Sequence, residues 1–124
     1  MLNNLVLNFK YGNKAGNRNM YKEIEQIEPK EIVKGYKARF IHSEMMTMAF
    51  WEVEAGAVMP IHQHIHEQIS QVLEGKFELV VAGKRIVYEP GFVAVIPSNT
   101  PHGGVAITNC KLLDMFSPAR EDYK

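Results

Sequence analysis

Short apolar runs broken by glycine and proline fill the chain from about residue 36 onward. The runs 50–54 and 77–81 alternate partly between apolar and polar residues, which is the period of a half-buried β-strand. The breaks are rich in Gly, Pro, Asn and Ser, as turns are. Strands of this spacing indicate an all-β sandwich or small barrel. The pattern predicts about nine strands, at residues 36–42, 47–54, 58–64, 68–73, 76–82, 84–88, 92–96, 102–107 and 111–116.

Two stretches near the start of the chain depart from this pattern. Residues 21–34 have helix-like composition, although Pro29 interrupts them. Residues 1–22 carry basic residues but no acidic one, and Asn and Gly cluster among them. We interpret 1–22 as an N-terminal extension with a short strand over 5–9, and 23–124 as one domain. We expect the strand to join the sheet of a second copy; a nucleic-acid arm is the alternative.

Size and charge narrow the class of protein. The chain has 124 residues, of which 46% are hydrophobic, and this suffices for one domain with its own core. A metal in such a domain would serve chemistry rather than folding. The 14 basic residues balance the 14 acidic ones, which argues against nucleic acid or an anionic membrane as a partner.

Cysteine usage and the lack of long apolar segments predict a cytoplasmic protein. The single cysteine, Cys110, excludes an internal disulfide and a cysteine-rich zinc site. It lies in an apolar run and is expected to be a buried structural thiol. No segment reaches the ~18 apolar residues of a membrane helix, and residues 1–7 are too short and too Asn-rich for a signal-peptide core.

Three of the five histidines fall within residues 62–66. Side chains two apart in a strand share a face, so His62 and His64 would point the same way and reach one divalent ion. Neutral imidazole is a common ligand for such ions. A histidine-rich turn with no ion is the alternative for this motif alone.

The spacing around these histidines resembles the two sequence motifs of the cupin superfamily. Gly56 lies six positions before His62, Gln68 four after His64, and Gly75 seven after Gln68. The second motif is matched by Pro90-Gly91 and a later histidine, His102. The resemblance implies a single-domain cupin, which is a double-stranded β-helix or jelly-roll barrel.

Two residues depart from the usual cupin pattern. Gln68 stands where most metal cupins have Glu, and Ala106 stands where the second motif has Asn. A neutral amide oxygen leaves the full charge of a divalent ion uncompensated, which favours polarising a substrate oxygen over oxygenase chemistry. A degenerate site that has lost its metal is the competing interpretation.

The C-terminal segment carries a second set of functional side chains. Asp114 and Phe116 share a face if 111–116 is a strand, and that face is expected to be the barrel interior. Arg120 is then expected to fold back over the mouth and grip a carboxylate in bidentate fashion. A structural ion pair between Asp114 and Arg120 is the alternative.

The His-x-His-x3-Gln motif together with this C-terminus resembles the KdgF family of cupins over residues 33–123. The family consists of small homodimeric metal cupins that open the ring of 4,5-unsaturated monouronates from pectin or alginate. The resemblance implies one divalent ion (Zn, Ni, Mn, Fe or Co) and a sugar-acid substrate. Gly35 and His42 also match the family upstream, and Arg39 is expected to add a substrate contact. The implied metal ligands are His62, His64, Gln68 and His102, and the implied catalytic and substrate-binding residues are Asp114, Phe116 and Arg120.

Several roles stay open at the level of sequence. His66 is expected at a turn or rim rather than behind a metal ligand, and His42 lines the pocket or lies on the surface. Another metal cupin enzyme, such as a dioxygenase or sugar isomerase, is one rival function. A non-catalytic ligand-sensing cupin is the other. We expect a homodimer, because a small barrel with exposed sheet edges tends to pair them.

Overall fold

The computed structural model describes residues 20–124 of the chain. Within this range there are β-strands and short 3-10 turns, at Ile24–Gln26 and Glu121–Tyr123, but no α-helix. No helix in this part of the chain is long and apolar enough to cross a membrane. The strands are β1 Lys30–Val33, β2 Tyr36–His42, β3 Thr47–Val53, β4 Val58–His62, β5 Glu67–Glu74, β6 Phe77–Val81, β7 Lys84–Tyr88, β8 Val93–Ile96, β9 His102–Ala106 and β10 Cys110–Ser117.

The strands form two antiparallel sheets with the core between them. The larger sheet has the order β1-β2-β3-β10-β5-β8, and the smaller one has the order β4-β9-β6-β7. Aromatic side chains occupy much of the core, where Tyr36 meets the rings of Trp51 and Phe77 edge-on. The predicted all-β jelly-roll barrel is confirmed.

The strand predictions hold with small shifts, apart from two places. The predicted strand 58–64 ends at His62, so His64 lies in the loop that follows. The helix-like interpretation of 21–34 is wrong, because a 3-10 turn and then β1 form there. Pro29 prevents a continuous helix, and the charged residues Lys30 and Glu31 are tolerated because β1 is an edge strand paired only with β2.

Residues 1–19, which include the predicted strand 5–9, lie outside the described part of the chain. The proposed boundary at residue 22 therefore stays a prediction.

Backbone conformation explains two glycines of the first cupin-like motif. Gly56 and Gly75 have φ angles of +83° and +91°, in the left-handed region that favours glycine. At Gly75 a Cβ atom would collide with the carbonyl oxygen of Asn109. The turn between β5 and β6 therefore requires glycine for both its conformation and its packing.

The strand β10 carries the second functional segment into the barrel. It lies between β3 and β5, and alternate residues Leu112, Asp114 and Phe116 are buried. The register places Asp114 opposite Ser70 and Phe116 opposite Gln68. Four inward-facing residues of β5 and β10, three of them polar, therefore meet on the inner face of the larger sheet.

Candidate active site

The three predicted histidine ligands lie together at one end of the smaller sheet. His62 ends β4 and pairs in register with His102, the first residue of β9. His64 reaches the same point from the loop after β4, with its ring centroid 5.6 Å from that of His62 and 4.9 Å from that of His102. One ring nitrogen of each histidine lies within 4.8 Å of the others. The cluster therefore forms through a strand pair and a loop, rather than along one strand as expected.

Hydrogen bonds to the backbone fix the tautomer of all three rings. The Nδ1 atoms of His62, His64 and His102 lie 2.7, 3.0 and 2.7 Å from carbonyl oxygens of Pro60, His66 and Thr100. A carbonyl oxygen can only accept, so each Nδ1 carries the hydrogen. Each Nε2 is therefore left with an unshared electron pair, as a metal ligand requires.

Gln68 completes the cluster with an oxygen atom. Its Oε1 lies 3.1 Å from Nε2 of His64 and 3.1 Å from Nε2 of His102. All of these atoms are acceptors in the tautomers just described, so no hydrogen is available for them to share. A cation between them resolves the repulsion, and imidazole nitrogen with carbonyl oxygen suits a borderline divalent metal. The donor set thus fits a divalent metal.

Burial keeps His64 and His102 neutral. It lowers the pKa of His64 to about 4, and the positive charge of Arg120 acts in the same direction. Burial also lowers the pKa of His102. Neutral imidazole is the form that binds a metal, so the barrel holds these two rings in their binding form at neutral pH.

The C-terminal residues line the same cavity as this cluster. Its empty volume, counting the open mouth, is about 470 Å³. Its walls combine two of the clustered histidines, His62 and His102, with aromatic side chains from both sheets, whereas His64 is not among the lining residues. The functional groups that line it are those of His62, Gln68, His102, Asp114, Phe116 and Arg120.

Asp114 is a buried carboxyl group with a raised pKa. Burial raises its pKa to about 6, while the side chains of Ser70, Trp51 and Gln68 favour the ionised form. Its Oδ1 atom has no hydrogen-bond partner within residues 20–124. A carboxyl group that exchanges its proton near neutral pH and has an unpaired oxygen is suited to general acid–base chemistry.

Arg120 forms its ion pair with Asp122 and not with Asp114. Its Nε and Nη2 atoms donate hydrogen bonds of 3.0 and 2.7 Å to the two oxygens of Asp122. The alternative of a structural pair between Asp114 and Arg120 is therefore wrong. The sequence contains Asp122 within the C-terminal motif, but nothing in the spacing alone indicated that it would hold Arg120.

Sequence reasoning also missed several cavity residues. Ser70, Tyr36 and Tyr123 line the cavity beside the predicted residues. Ser70 carries a usable signal, since it lies two positions after Gln68 and so shares its face of β5. Tyr123 reaches the cavity only because the C-terminal turn folds back over Phe40, with ring centroids 4.6 Å apart. No local pattern reveals that contact.

Besides His64, three other predicted residues lie outside the cavity lining. Arg39 alternates with the buried residues of β2, so it points to the outer face, where it lies 3.6 Å from Glu52. The structure therefore does not support the expected substrate contact of Arg39. His42 hydrogen bonds to Thr47 at 2.8 Å. His66 lies in the loop before β5 and supplies the carbonyl that orients His64.

Comparison with known proteins agrees with this geometry. The Cupin_2 family model, described as a cupin domain, matches residues 49–116. The pectin degradation protein KdgF of Dickeya dadantii is 33% identical over 96 residues, which cover 75% of this chain and 87% of that protein.

Two solved structures are similar along most of the chain. An RmlC-like cupin from Shewanella frigidimarina superposes with a TM-score of 0.80 at 33% identity, covering 84% of this chain and 95% of that one. KdgF from a Halomonas species superposes with a TM-score of 0.79 at 29% identity, covering 84% and 97%. The chain is thus a member of the cupin superfamily that resembles KdgF.

Proposed function

We propose that the protein opens the ring of 4,5-unsaturated monouronates, the sugar acids released by pectin or alginate lyases, to give a linear 4-deoxy-5-keto-uronate. The observation that carries this proposal is the shared cavity, where a buried acid and a guanidinium group meet His62, Gln68 and His102, with His64 3.1 Å from Gln68. The similarity to two KdgF proteins supports the choice of substrate class.

The reaction is an isomerisation in which one proton changes place. The anomeric hydroxyl loses its proton as carbon 1 becomes an aldehyde, and the bond from carbon 1 to the ring oxygen breaks. The ring oxygen stays on carbon 5, and the double bond between carbons 4 and 5 takes up a proton at carbon 4. Carbon 5 then carries a keto group, and atoms and charge balance without an oxidant or a second substrate.

Asp114 is the proposed proton carrier. It is the cavity carboxyl group whose pKa lies near neutrality, about 6, because of burial. A group with such a pKa accepts a proton and gives it back with little cost in either direction. Its unpaired Oδ1 is the atom we assign to this transfer.

The histidine cluster and Gln68 would hold the divalent ion. As a Lewis acid beside the sugar, the ion would stabilise negative charge on the oxygen of carbon 5. The chain's own contribution is the orientation of the three imidazoles by Pro60, His66 and Thr100 carbonyls. Because Gln68 is neutral, the donor set carries no negative charge, which favours this polarising role over oxygen activation.

Arg120 and Phe116 are the proposed substrate-binding residues. Arg120 is 5% exposed and lines the cavity, where its guanidinium group would pair with the uronate carboxylate. The Phe116 ring lies 5.7 Å from that of His64 and is 3% exposed. It would pack against the sugar and keep water away from the reacting carbons.

We further propose that the protein forms a homodimer through the outer face of the larger sheet. Outward-facing residues of β5 and β8 are expected to be polar if solvent covers them, yet Ile69 and Val95 pair in register and are 44% and 68% exposed. The row through Ile69 and Val95 continues across the neighbouring strands with Met115 and Met48. In the next outward-facing row Val93, Leu113 and Phe50 are apolar, and the polar Gln71 lies between Val93 and Leu113.

The charges beside these apolar rows favour a second copy as the partner. Lys37, Glu52, Lys111 and Glu74 pair successively across four strands, so their signs alternate. A two-fold axis parallel to the strands would reverse this order and set each charge against its opposite. From strand and residue spacings the face measures roughly 600 Å² per copy, at the lower end of stable interfaces.

A time course on a defined substrate tests the proposed reaction. Purified protein is added to unsaturated galacturonate or mannuronate, and loss of the ultraviolet absorbance of the double bond is followed. We expect absorbance loss faster than the spontaneous rate, abolished by chelator and restored by a divalent metal. A protein that lacks both metal and turnover would favour the ligand-sensing alternative. Oxygen consumption with bound iron would favour the dioxygenase.

A further inference from the structure

The Arg120 side chain is held along one edge. Its Nε and Nη2 atoms donate to Oδ1 and Oδ2 of Asp122, at 3.0 and 2.7 Å. This hydrogen bonding lowers the pKa of Asp122, so its carboxylate is ionised at neutral pH. The arrangement is the two-point pairing that fixes a guanidinium plane in direction as well as position.

Two aromatic rings pack against the same group from different directions, with their planes 78° apart. The Cζ atom of Arg120 lies 4.0 Å from the centroid of the Tyr123 ring and 4.8 Å from that of Phe116. The backbone N–H of Arg120 also donates to Thr47 Oγ1 at 2.8 Å, and Thr47 is 1% exposed. The cation is thus fixed on three sides before any ligand arrives.

These contacts determine which donors are left for a ligand. A guanidinium group has five N–H bonds, and Asp122 takes one from Nε and one from Nη2. At most three remain, all on the two terminal nitrogens. Arg120 lines the cavity but Asp122 does not, so the edge used by Asp122 is not the edge offered to the cavity.

We propose that Asp122 is a positioning residue that turns the terminal nitrogens of Arg120 toward the cavity, where they bind a sugar carboxylate end-on. This inference rests on the proposed function for the identity of the ligand, but its geometry involves only residues of the C-terminal turn. The bidentate grip expected from sequence would then use the two terminal nitrogens, because Asp122 already occupies the edge formed by Nε and Nη2.

A competing partner gives Asp122 a specific purpose. Asp114 lines the same cavity and has a buried oxygen without a hydrogen-bond partner in the described part of the chain, and Arg120 already favours its ionised form. Without Asp122 the guanidinium group would be drawn toward Asp114. That pairing would remove the carboxylate-binding donors and the free acid together. The negative charge of Asp122 repels the substrate carboxylate only weakly, because the Asp122 side chain is 57% exposed and its charge is screened by water.

The test measures binding of saturated galacturonate, which has the carboxylate but no reactive double bond. Calorimetry compares the wild-type protein, as purified with its metal, with Asp122→Asn. We expect the variant to bind about tenfold more weakly, the loss typical of a broken charge-assisted contact. The methyl ester of the same sugar should bind weakly and equally to both proteins, because it lacks the charge that Arg120 recognises.

Glu121→Gln is the matched control. Glu121 lies in the same turn, pairs with the exposed Lys124 at 2.8 Å and is itself 74% exposed. This variant should bind galacturonate as the wild type does. Equal or tighter binding by Asp122→Asn would overturn the proposal, as would equal losses for the acid and the ester, or no binding by the wild type. Turnover of unsaturated uronates is measured separately, so a failed reaction with retained binding would refute the proposed function and not this inference.

Discussion

Asp114 lies directly opposite Ser70 in the pairing of β10 with β5, and both side chains are buried beside the metal-ligand cluster. Natural cores seldom place a carboxyl group in such a position without a charged partner. Burying the Asp114 carboxyl group lowers the stability of the fold, and the same group serves the proposed proton transfer. Replacing Asp114 separates these two effects.

The Asp114→Asn variant should be inactive and more stable than the wild type. Burial raises the pKa of Asp114 from 3.8 to about 6, so the folded state binds the proton more tightly than the unfolded state. Stability of the wild type should therefore fall as pH rises from about 4 to about 6 and stay lower above that. The full difference is about 3 kcal/mol. Asn does not titrate, so the variant lacks this dependence.

Denaturant unfolding from pH 4 to pH 8 measures this pH dependence of stability in both proteins. The proteins are first treated with chelator, because a bound cation would itself favour the carboxylate form of Asp114. An Asn variant no more stable than the wild type at pH 8 would show that Asp114 is not strained by its burial. Full activity in the variant would remove Asp114 from the mechanism.

The Gln68→Glu variant should bind metal more tightly and turn over more slowly. A carboxylate in place of the amide adds a negative charge beside the three imidazoles and so strengthens the attraction for a divalent ion. The same charge weakens the ion as a Lewis acid. Metal content after dialysis and kcat are the two measurements. A variant that gains both affinity and turnover would contradict the role assigned to the neutral oxygen.

The Thr47→Val variant should lose stability because it lacks the Thr47 hydroxyl. The two side chains have nearly the same shape, so the loss reports the hydrogen bonds rather than the packing. The Thr47 hydroxyl accepts from the Arg120 backbone N–H and hydrogen bonds to His42 Nδ1, each at 2.8 Å. Its loss leaves the Arg120 N–H buried and unpaired, which costs about 1–3 kcal/mol. Thr47→Ser keeps the hydroxyl and is the control. Equal denaturation midpoints for the Val and Ser variants would show that the bonds do not hold the C-terminal turn.

The Val95→Asp variant should be monomeric. Val95 is 68% exposed on the outer face of the larger sheet, and a buried unpaired charge there would disfavour the proposed interface. Val87→Asp makes the same change on the smaller sheet, where Val87 is 50% exposed. Light scattering should give a dimer for the wild type and for the Val87 variant. A monomeric wild type, or a dimeric Val95 variant, would contradict the proposed face.

The sequence predicted the parts of the fold that depend on local patterns. Alternating residues placed Asp114 and Phe116 on the inner face of β10, and turn residues marked most strand ends. The strand β1 was missed because its charged residues suit a helix as well as a sheet edge. The position of His64 in a loop was missed because the spacing of two residues fits both a strand and the observed bend.

The candidate site was predictable only in part, because its remaining contacts join distant segments. The candidate ligands could be named from their spacing and from the family resemblance. The orientation of their rings by backbone carbonyls depends on loop geometry that no residue type encodes. The pairing of Arg120 with Asp122, and the packing of Tyr123 on Phe40, depend on how the last turn folds back.

The most direct test of the central claim is the reaction run in heavy water with unsaturated galacturonate, followed by NMR of the product as it forms. The account predicts one deuterium at carbon 4, delivered to a single face by the wild type, and no such selectivity with Asp114→Asn. Deuterium on both faces at the spontaneous rate, for wild type and variant alike, would contradict it.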